Sequence, residues 1–319
     1  MSFNNNDIKI NLLENGLDFI LSATKYIIKN DDKYSIKYAI LHLSSGVELI
    51  FKSVLLSKDW TQLFQKVSDA CEEKFFNGDF QSVNSKTCQD RLESICGIKF
   101  SEDEKKTLKI LRQKRNKLEH FSILDSSDSL KVYFIRVLNM LIDLIKDNFN
   151  DSDMNYTEIE LLESIRTSIK YLEEFVEYRW KEINSDIEYY SKYNTILICP
   201  SCYEKSLITD DGTKCLFCGY RDYSKKVAKK YISRVLNISE YEAIKNGGYY
   251  PLHICEECGE ESLVYDEELR VYKCTNCSDE LEADNVNYCY MCGNPYKVYD
   301  INEDIGVCSD CIEMELEKD

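Results

Sequence analysis

Residues 199–218 read Cys199-Pro-Ser-Cys202-Tyr-Glu-Lys-Ser-Leu-Ile-Thr-Asp-Asp-Gly-Thr-Lys-Cys215-Leu-Phe-Cys218, two Cys-x2-Cys pairs twelve residues apart. The arrangement recurs with fifteen residues between the pairs at Cys255/Cys258 and Cys274/Cys277, and again at Cys289/Cys292 and Cys308/Cys311. Two intervening residues let a tight knuckle turn both thiolates onto one tetrahedral ion at about 2.3 Å. Gly219, Gly259 and Gly293 each follow the second cysteine of a pair, where the knuckle turn calls for positive φ. Six such pairs exceed what a redox pair requires. The N-terminus, MSFNNNDIKI, lacks the basic stretch and apolar core of a secretory signal. Metal binding is therefore expected in place of a disulfide framework.

All twelve cysteines are read as ligands of structural zinc, about three ions per chain by the four-ligand rule for closed sites. The four pairs from Cys255 to Cys311 could also interleave across the last two ions. The hairpin spacing is similar to tandem zinc ribbons of the rubredoxin-like kind. No neighbouring histidine offers an open catalytic position, and His253, two residues before Cys255, is read as a surface or hairpin residue. Cys71, Cys88 and Cys96 are expected to be buried small hydrophobes.

Working outward, 319 residues suit two or three domains, and 44% apolar with 30% charged residues describes a globular, soluble chain. No apolar run is read as reaching the roughly 20 residues that span a bilayer. The longest candidate, Val132–Ile145, is interrupted by Arg136, Asn139 and Asp143. No membrane association and a cytoplasmic location are expected. The formal charge of −17 is uneven: residues 1–150 hold 22 Lys and Arg against 21 Asp and Glu, whereas 251–319 hold 4 against 19. Such an acidic surface repels phosphate backbones and suits a basic protein partner. It also argues against the ribbons as direct DNA binders.

Only three prolines and eleven glycines favour long helices. Apolar residues recur at helical spacing from Ile8 to Ile28, and the segment Tyr34–Ser57 is apolar nearly all round, as a buried central helix should be. Short helices are expected over Trp60–Phe76 and residues 86–96, a capped one opening at Ser101 with Glu104 three residues on, and another over Ser129–Asn148. One long amphipathic helix is expected over 154–192. The fold class is mainly α: a helical bundle at 1–150, a connecting amphipathic helix at 151–198, a first zinc ribbon with a basic helix at 199–250, and acidic ribbons two and three at 251–319. The basic helix, carrying Lys225, Lys226, Lys229, Lys230 and Arg234, is the best nucleic-acid candidate among the ribbons.

The helix opening at Ser101 holds Arg112-Gln113-Lys114-Arg115-Asn116-Lys117-Leu118-Glu119-His120-Phe121. In isolation this is a solvated basic face. Its Arg-Asn-x3-His spacing, together with the central stretch Tyr38–Lys52 and the helix order over residues 7–150, resembles the HEPN family of helical nucleases and nucleotide-binding bundles. The resemblance implies a metal-independent endoribonuclease with Arg115, Asn116 and His120 as catalytic residues, and a homodimer in which two copies of the motif form one cleft. Imidazole exchanges protons near neutral pH, and guanidinium forks onto phosphate oxygens. Glu48 is expected to contact either Arg115 or Lys52. Lys52, Arg112, Lys114 and Lys117 are read as supporting residues, and Arg112, Lys114, Arg115 and Lys117 as a basic patch that doubles in the dimer. Arg115 stands about 140° round an ideal helix from His120, so one helix is not expected to aim both at one phosphate. The family's habits imply a toxin or antiphage defence effector acting on RNA, with the ribbons meeting a trigger, protein partner or antitoxin. The alternative is a non-catalytic adaptor that binds RNA, nucleotide or protein.

Overall fold

The computed structural model describes residues 10–29, 32–121, 125–209, 212–245, 249–298 and 305–316. Ile8 of the expected first helix lies outside them. Two compact units are present. One comprises residues 1–149 and 153–179, the other 150–152 and 180–319.

The first unit is helical: α1 (Leu12–Lys29), α2 (Lys33–Lys58), α3 (Glu72–Asn77), α4 (Ser85–Ile95), α5 (Glu102–His120), α6 (Ser127–Asn148), α7 (Tyr156–Ser168) and the start of α8 (Glu173–Tyr190). Helix α2 is the hub, packing against α1, α4, α5 and α6. Asp32 caps it by accepting from the amides of Tyr34 and Ser35. It is also long and apolar enough to cross a bilayer, which the interrupted run at Val132–Ile145 is not. Most of it is buried among the other helices, with Ile40, Leu43, Ile50, Phe51 and Val54 fully covered, as befits a core helix. α1 lies close against it because Gly16 and Gly46 face the contact. A Cβ on Gly46 would stand 2.7 Å from Ile20 Cγ1, and one on Gly16 2.9 Å from Ile50 Cδ1.

Two expected helices differ. Trp60–Phe76 is not one helix but two short 3-10 turns, Trp60–Leu63 and Val67–Asp69, followed by α3. Phe64 stacks on Phe80 at 4.2 Å and meets Trp60 edge-on at 5.9 Å. Arg91 donates to the carbonyls of Gln62, Phe64 and Gln65, fixing the loop in an irregular path. The stretch 154–192 is broken into α7, a 3-10 turn at Ile169–Tyr171, and α8, with Leu172 extended at φ −98°, ψ 90°. α7 belongs to the bundle: it packs on α1, and Asn11 donates to Glu158 at 2.9 Å. The units divide at 179/180, inside the segment read as a connector.

The second unit follows with β1 (Leu197–Ile198), β2 (Lys205–Thr209) and β3 (Thr213–Cys215), then α9 (Ser224–Arg234) and α10 (Glu240–Lys245). Next come β4 (Leu252–Ile254), β5 (Glu261–Asp266), β6 (Val271–Cys274) and β7 (Glu280–Glu282), then β8 (Val286–Tyr288), β9 (Pro295–Lys297) and α11 (Ser309–Leu316). The strands form three antiparallel sheets, β1-β2-β3, β4-β5-β6-β7 and β8-β9. Ser278 Oγ donates to the Thr209 carbonyl at 3.0 Å, joining the first hairpin to the second. Ser309 donates to Glu256 at 2.7 Å, joining the third to the second.

Candidate functional site

Each cysteine set closes on itself in sequence order: Cys199/202/215/218, Cys255/258/274/277 and Cys289/292/308/311, with the four sulfurs of a set within 4.8 Å of one another. Interleaving of the last two sets is thereby excluded. Sulfurs at opposite ends of a hairpin stand 3.8 Å apart at Cys199–Cys218, Cys202–Cys215, Cys258–Cys274 and Cys292–Cys308, and 3.7 Å apart at Cys255–Cys277. A tetrahedron with ion–sulfur bonds of about 2.3 Å has edges of about 3.8 Å, whereas a disulfide needs about 2.05 Å. The donor sets therefore fit three tetrahedral metal ions.

The backbone explains why the knuckles form. The amide of Cys199 donates to the carbonyl of Glu204, Cys255 to Glu260 and Cys289 to Asn294, all at 2.9 Å. Gly219, Gly259 and Gly293 adopt φ of 74°, 69° and 75°, and Tyr203 and Ser278 take the same left-handed turn without being glycine. Amides also point at sulfur: Ser201 to Cys199 at 3.4 Å, Cys218 to Cys215 and Asn276 to Cys274 at 3.3 Å. Such donors stabilise thiolates. Ser206 and Ser262, at equivalent positions, place hydroxyls 3.2 and 3.1 Å from Cys215 and Cys274. The third centre closes differently, with α11 beginning between Cys308 and Cys311. Of the other cysteines only Cys88 is buried, and burial pushes its thiol up to about 12; Cys71 is exposed and Cys96 partly so.

The motif lies on the last turns of α5. The helix opens with a complete capping box: Ser101 Oγ accepts from the Glu104 amide at 3.2 Å, and the Ser101 amide donates to Glu104 at 2.7 Å. Acidic Glu102, Asp103 and Glu104 in its first turn and Lys117 and His120 in its last complement the helix dipole. Thr107, Leu108 and Leu111 bury the first half. Beyond Leu111 the helix turns polar and most of its surface meets solvent.

Arg115 and His120 meet on one carboxylate oxygen that the motif reading overlooked. Glu119 Oε2 is 3.0 Å from Arg115 Nε and 3.6 Å from His120 Nε2, so at most 6.6 Å separates the two nitrogens. One helix therefore brings the pair together despite the 140° between their positions. The i,i+4 spacing of Arg115 and Glu119 was the available signal. Arg115 Nη1 also donates to Asn116 Oδ1 at 3.3 Å. The His120 side chain is 66% exposed and that of Arg115 41%.

Of the two partners expected for Glu48 the structure gives Lys52, and two other supporting cations are engaged elsewhere. Glu48 holds Lys52, not Arg115: the buried Lys52 ammonium donates to Glu48 at 2.6 Å and to Ser82 at 3.0 Å. Arg112 is half-buried and donates to Gln89 at 3.2 Å, and burial draws its pKa down. Lys114 pairs with Asp125 at 2.5 Å. Of the expected patch, Lys117 alone is exposed without a partner among the described residues, because Gln89 of α4 takes Arg112, Asp125 takes Lys114 and Glu119 takes Arg115. The other histidines are withdrawn. His42 hydrogen-bonds Ser22 at 2.9 Å among Phe19, Tyr26 and Tyr38, and burial, opposed by Asp18, lowers its pKa. Burial pushes His253 down to about 4.

The cations of α9 are likewise committed. Lys225 pairs with Glu261, Lys226 with Asp222 and Lys229 with Glu240, Lys230 lies over the Tyr220 ring, and Arg234 donates to the Pro200 carbonyl. These are surface pairs, and the Lys225 and Lys226 side chains remain more than half exposed.

No protein-family model, curated protein or solved structure matches the chain.

Proposed function

We propose that the chain is a metal-independent endoribonuclease of HEPN type, a toxin or antiphage defence effector acting in the cytoplasm, with zinc in its three cysteine centres. The observation that carries this reading is the convergence of exposed Arg115 and His120 on one point of solvent-facing surface. In the reaction the RNA 2′-oxygen attacks the adjacent phosphorus and the 5′-oxygen leaves. The 2′-proton passes to a base, and an acid protonates the departing oxygen, giving a 2′,3′-cyclic phosphate and a 5′-hydroxyl. His120 serves one proton transfer, and its copy in a homodimer serves the other. The Arg115 guanidinium, released from Glu119, binds the phosphate oxygens as charge accumulates in the phosphorane, and Asn116 donates to them. Zinc in the cysteine centres supplies fold rather than chemistry, and the C-terminal unit recognises a protein partner or trigger.

The test is cleavage of total RNA by zinc-loaded full-length protein in magnesium-free buffer. His120→Ala and Arg115→Ala are each expected to lose about a hundredfold or more, with dimerisation intact. Unchanged cleavage by His120→Ala sinks the assignment. RNA binding without cleavage by the parent protein favours the adaptor reading, which the occupation of Arg115 by Glu119 supports.

A further inference from the structure

Five aromatic rings gather in the C-terminal unit, beside the second cysteine set, with Tyr272 in the same buried cluster as Cys255 and Cys274. Tyr249 stacks on His253 at 5.3 Å, and His253 meets Tyr272 at 5.7 Å and Tyr288 at 6.0 Å. Tyr265 packs on Tyr272 at 4.7 Å, and the Tyr272 and Tyr288 hydroxyls share a 2.6 Å hydrogen bond. Tyr249, His253, Tyr265, Tyr288 and Glu267 line an open cavity of about 450 Å³. Two groups at this cavity are without partners among the described residues, one buried and one exposed. His253 Nε2 is buried with no hydrogen-bond partner among the described residues. Glu267, exposed at the cavity, has no ion-pair or hydrogen-bond partner among them. Tyr249 is 66% and Tyr288 48% exposed although a stacked aromatic wall is normally covered.

Aromatic faces with an unpaired carboxylate at their edge attract cations, through the ring quadrupole and through charge. A nucleobase could also stack on the rings, but it would bring phosphates to a region holding 4 Lys and Arg against 19 Asp and Glu. A basic polypeptide gains from the pocket and again from the acidic surface round it. We infer that this pocket takes the lysine or arginine side chain of a basic protein segment, with Tyr249, Tyr265 and Tyr288 round the cation and Glu267 as its counter-ion. The inference deepens the partner-recognition part of the proposed function and rests on it, but it does not depend on RNA cleavage.

The experiment uses zinc-loaded full-length protein and fluorescence anisotropy. The probes are a labelled peptide alternating lysine with serine, its glutamine counterpart, and a labelled single-stranded oligoribonucleotide. The variants are Tyr249→Ala, which changes no charge, and Glu267→Gln, which changes no shape; both positions are exposed, and zinc content checks their folding. The lysine peptide is expected to bind and the glutamine peptide not. Tyr249→Ala should weaken binding about three- to thirtyfold. Glu267→Gln should weaken it by a smaller factor and flatten its salt dependence. Equal peptide affinity in Tyr249→Ala and parent means that surface charge alone acts, and overturns the pocket. So does failure of the parent to bind, or a Tyr249-dependent preference for the oligoribonucleotide. Cleavage of total RNA, measured on the same samples, should be unaltered by Tyr249→Ala. Its absence from the parent would defeat the nuclease reading while leaving the peptide result standing.

Discussion

Glu119 sets the resting state of the α5 surface. Its carboxylate occupies the guanidinium of Arg115 and lies beside His120, so under the proposed function an incoming phosphate must displace it. The pair is partly exposed, and such pairs contribute about 0.2–1 kcal/mol, a small barrier to displacement. Glu119→Gln removes a negative charge from the path of the phosphate and frees Arg115. RNA affinity is expected to rise by up to about fivefold, the upper end of that energy, read by filter binding at fixed salt. A fall in affinity would instead assign Glu119 to holding Arg115 and His120 in position. The sequence made Arg115, Asn116 and His120 visible through their spacing, and the capping box through Ser101 and Glu104. It did not separate used cations from free ones. Arg112 and Lys114 look like Lys117 in one dimension; only packing against Gln89 and Asp125 withdraws them.

Among elements, periodicity revealed α1, α2, α4, α5 and α6, whose apolar faces all turn to one core. It could not reveal the break in 154–192, because Ile165, Ile169, Leu172 and Phe175 keep helical spacing straight through the 3-10 turn, and no proline or glycine marks it. Nor could it show Arg179, fully buried, donating to Asn139 at 2.8 Å and to Asp143 at 2.7 Å and so pinning the start of α8 to α6. Burial tends to raise the Asp143 pKa, but the hydrogen bonds and charge of Arg179, aided by Lys146, outweigh it and hold the carboxyl below its ordinary range. A depressed folded-state pKa contributes stability above the unfolded value of about 3.9, and this is lost as pH falls through the folded value. Arg179→Met leaves Asn139 without its donor and Asp143 without its cation. Asp143 is 37% exposed, so water recovers part of the loss. The variant is expected to lose about 2–4 kcal/mol in urea unfolding at neutral pH. Its deficit should shrink below about pH 4, where the parent also loses the ion pair. A deficit that is constant across the acid limb would show that packing, not charge, makes the contribution.

At the scale of the molecule, two kinds of stability coexist. The helical unit buries a continuous apolar core round α2, while the second unit relies on small clusters such as Cys255, Leu263, Tyr272, Cys274 and Leu281, or Cys289, Tyr296, Cys308 and Cys311, in which cysteines are themselves core residues. Such clusters are too small to hold short strands alone. The thiolates also repel one another, and four of them outweigh a dication, so three filled centres take the formal charge from −17 to about −23. Zinc in the proposed centres would contribute about 10–16 kcal/mol each at neutral pH to the folding of this unit. Elemental analysis should give about three zinc ions per chain. A value near one would mean that the closed cysteine sets do not all fill. Chelation should remove the strand signal and the dispersion of amide resonances from residues 197–316, while the helical circular dichroism of α1, α2, α5 and α6 persists and melts as its own transition. Restoring zinc should recover the lost resonances. If the helices unfold together with the cysteine-bearing sheets on chelation, the two units fold as one cooperative body, and the apolar core round α2 is not sufficient to sustain the bundle.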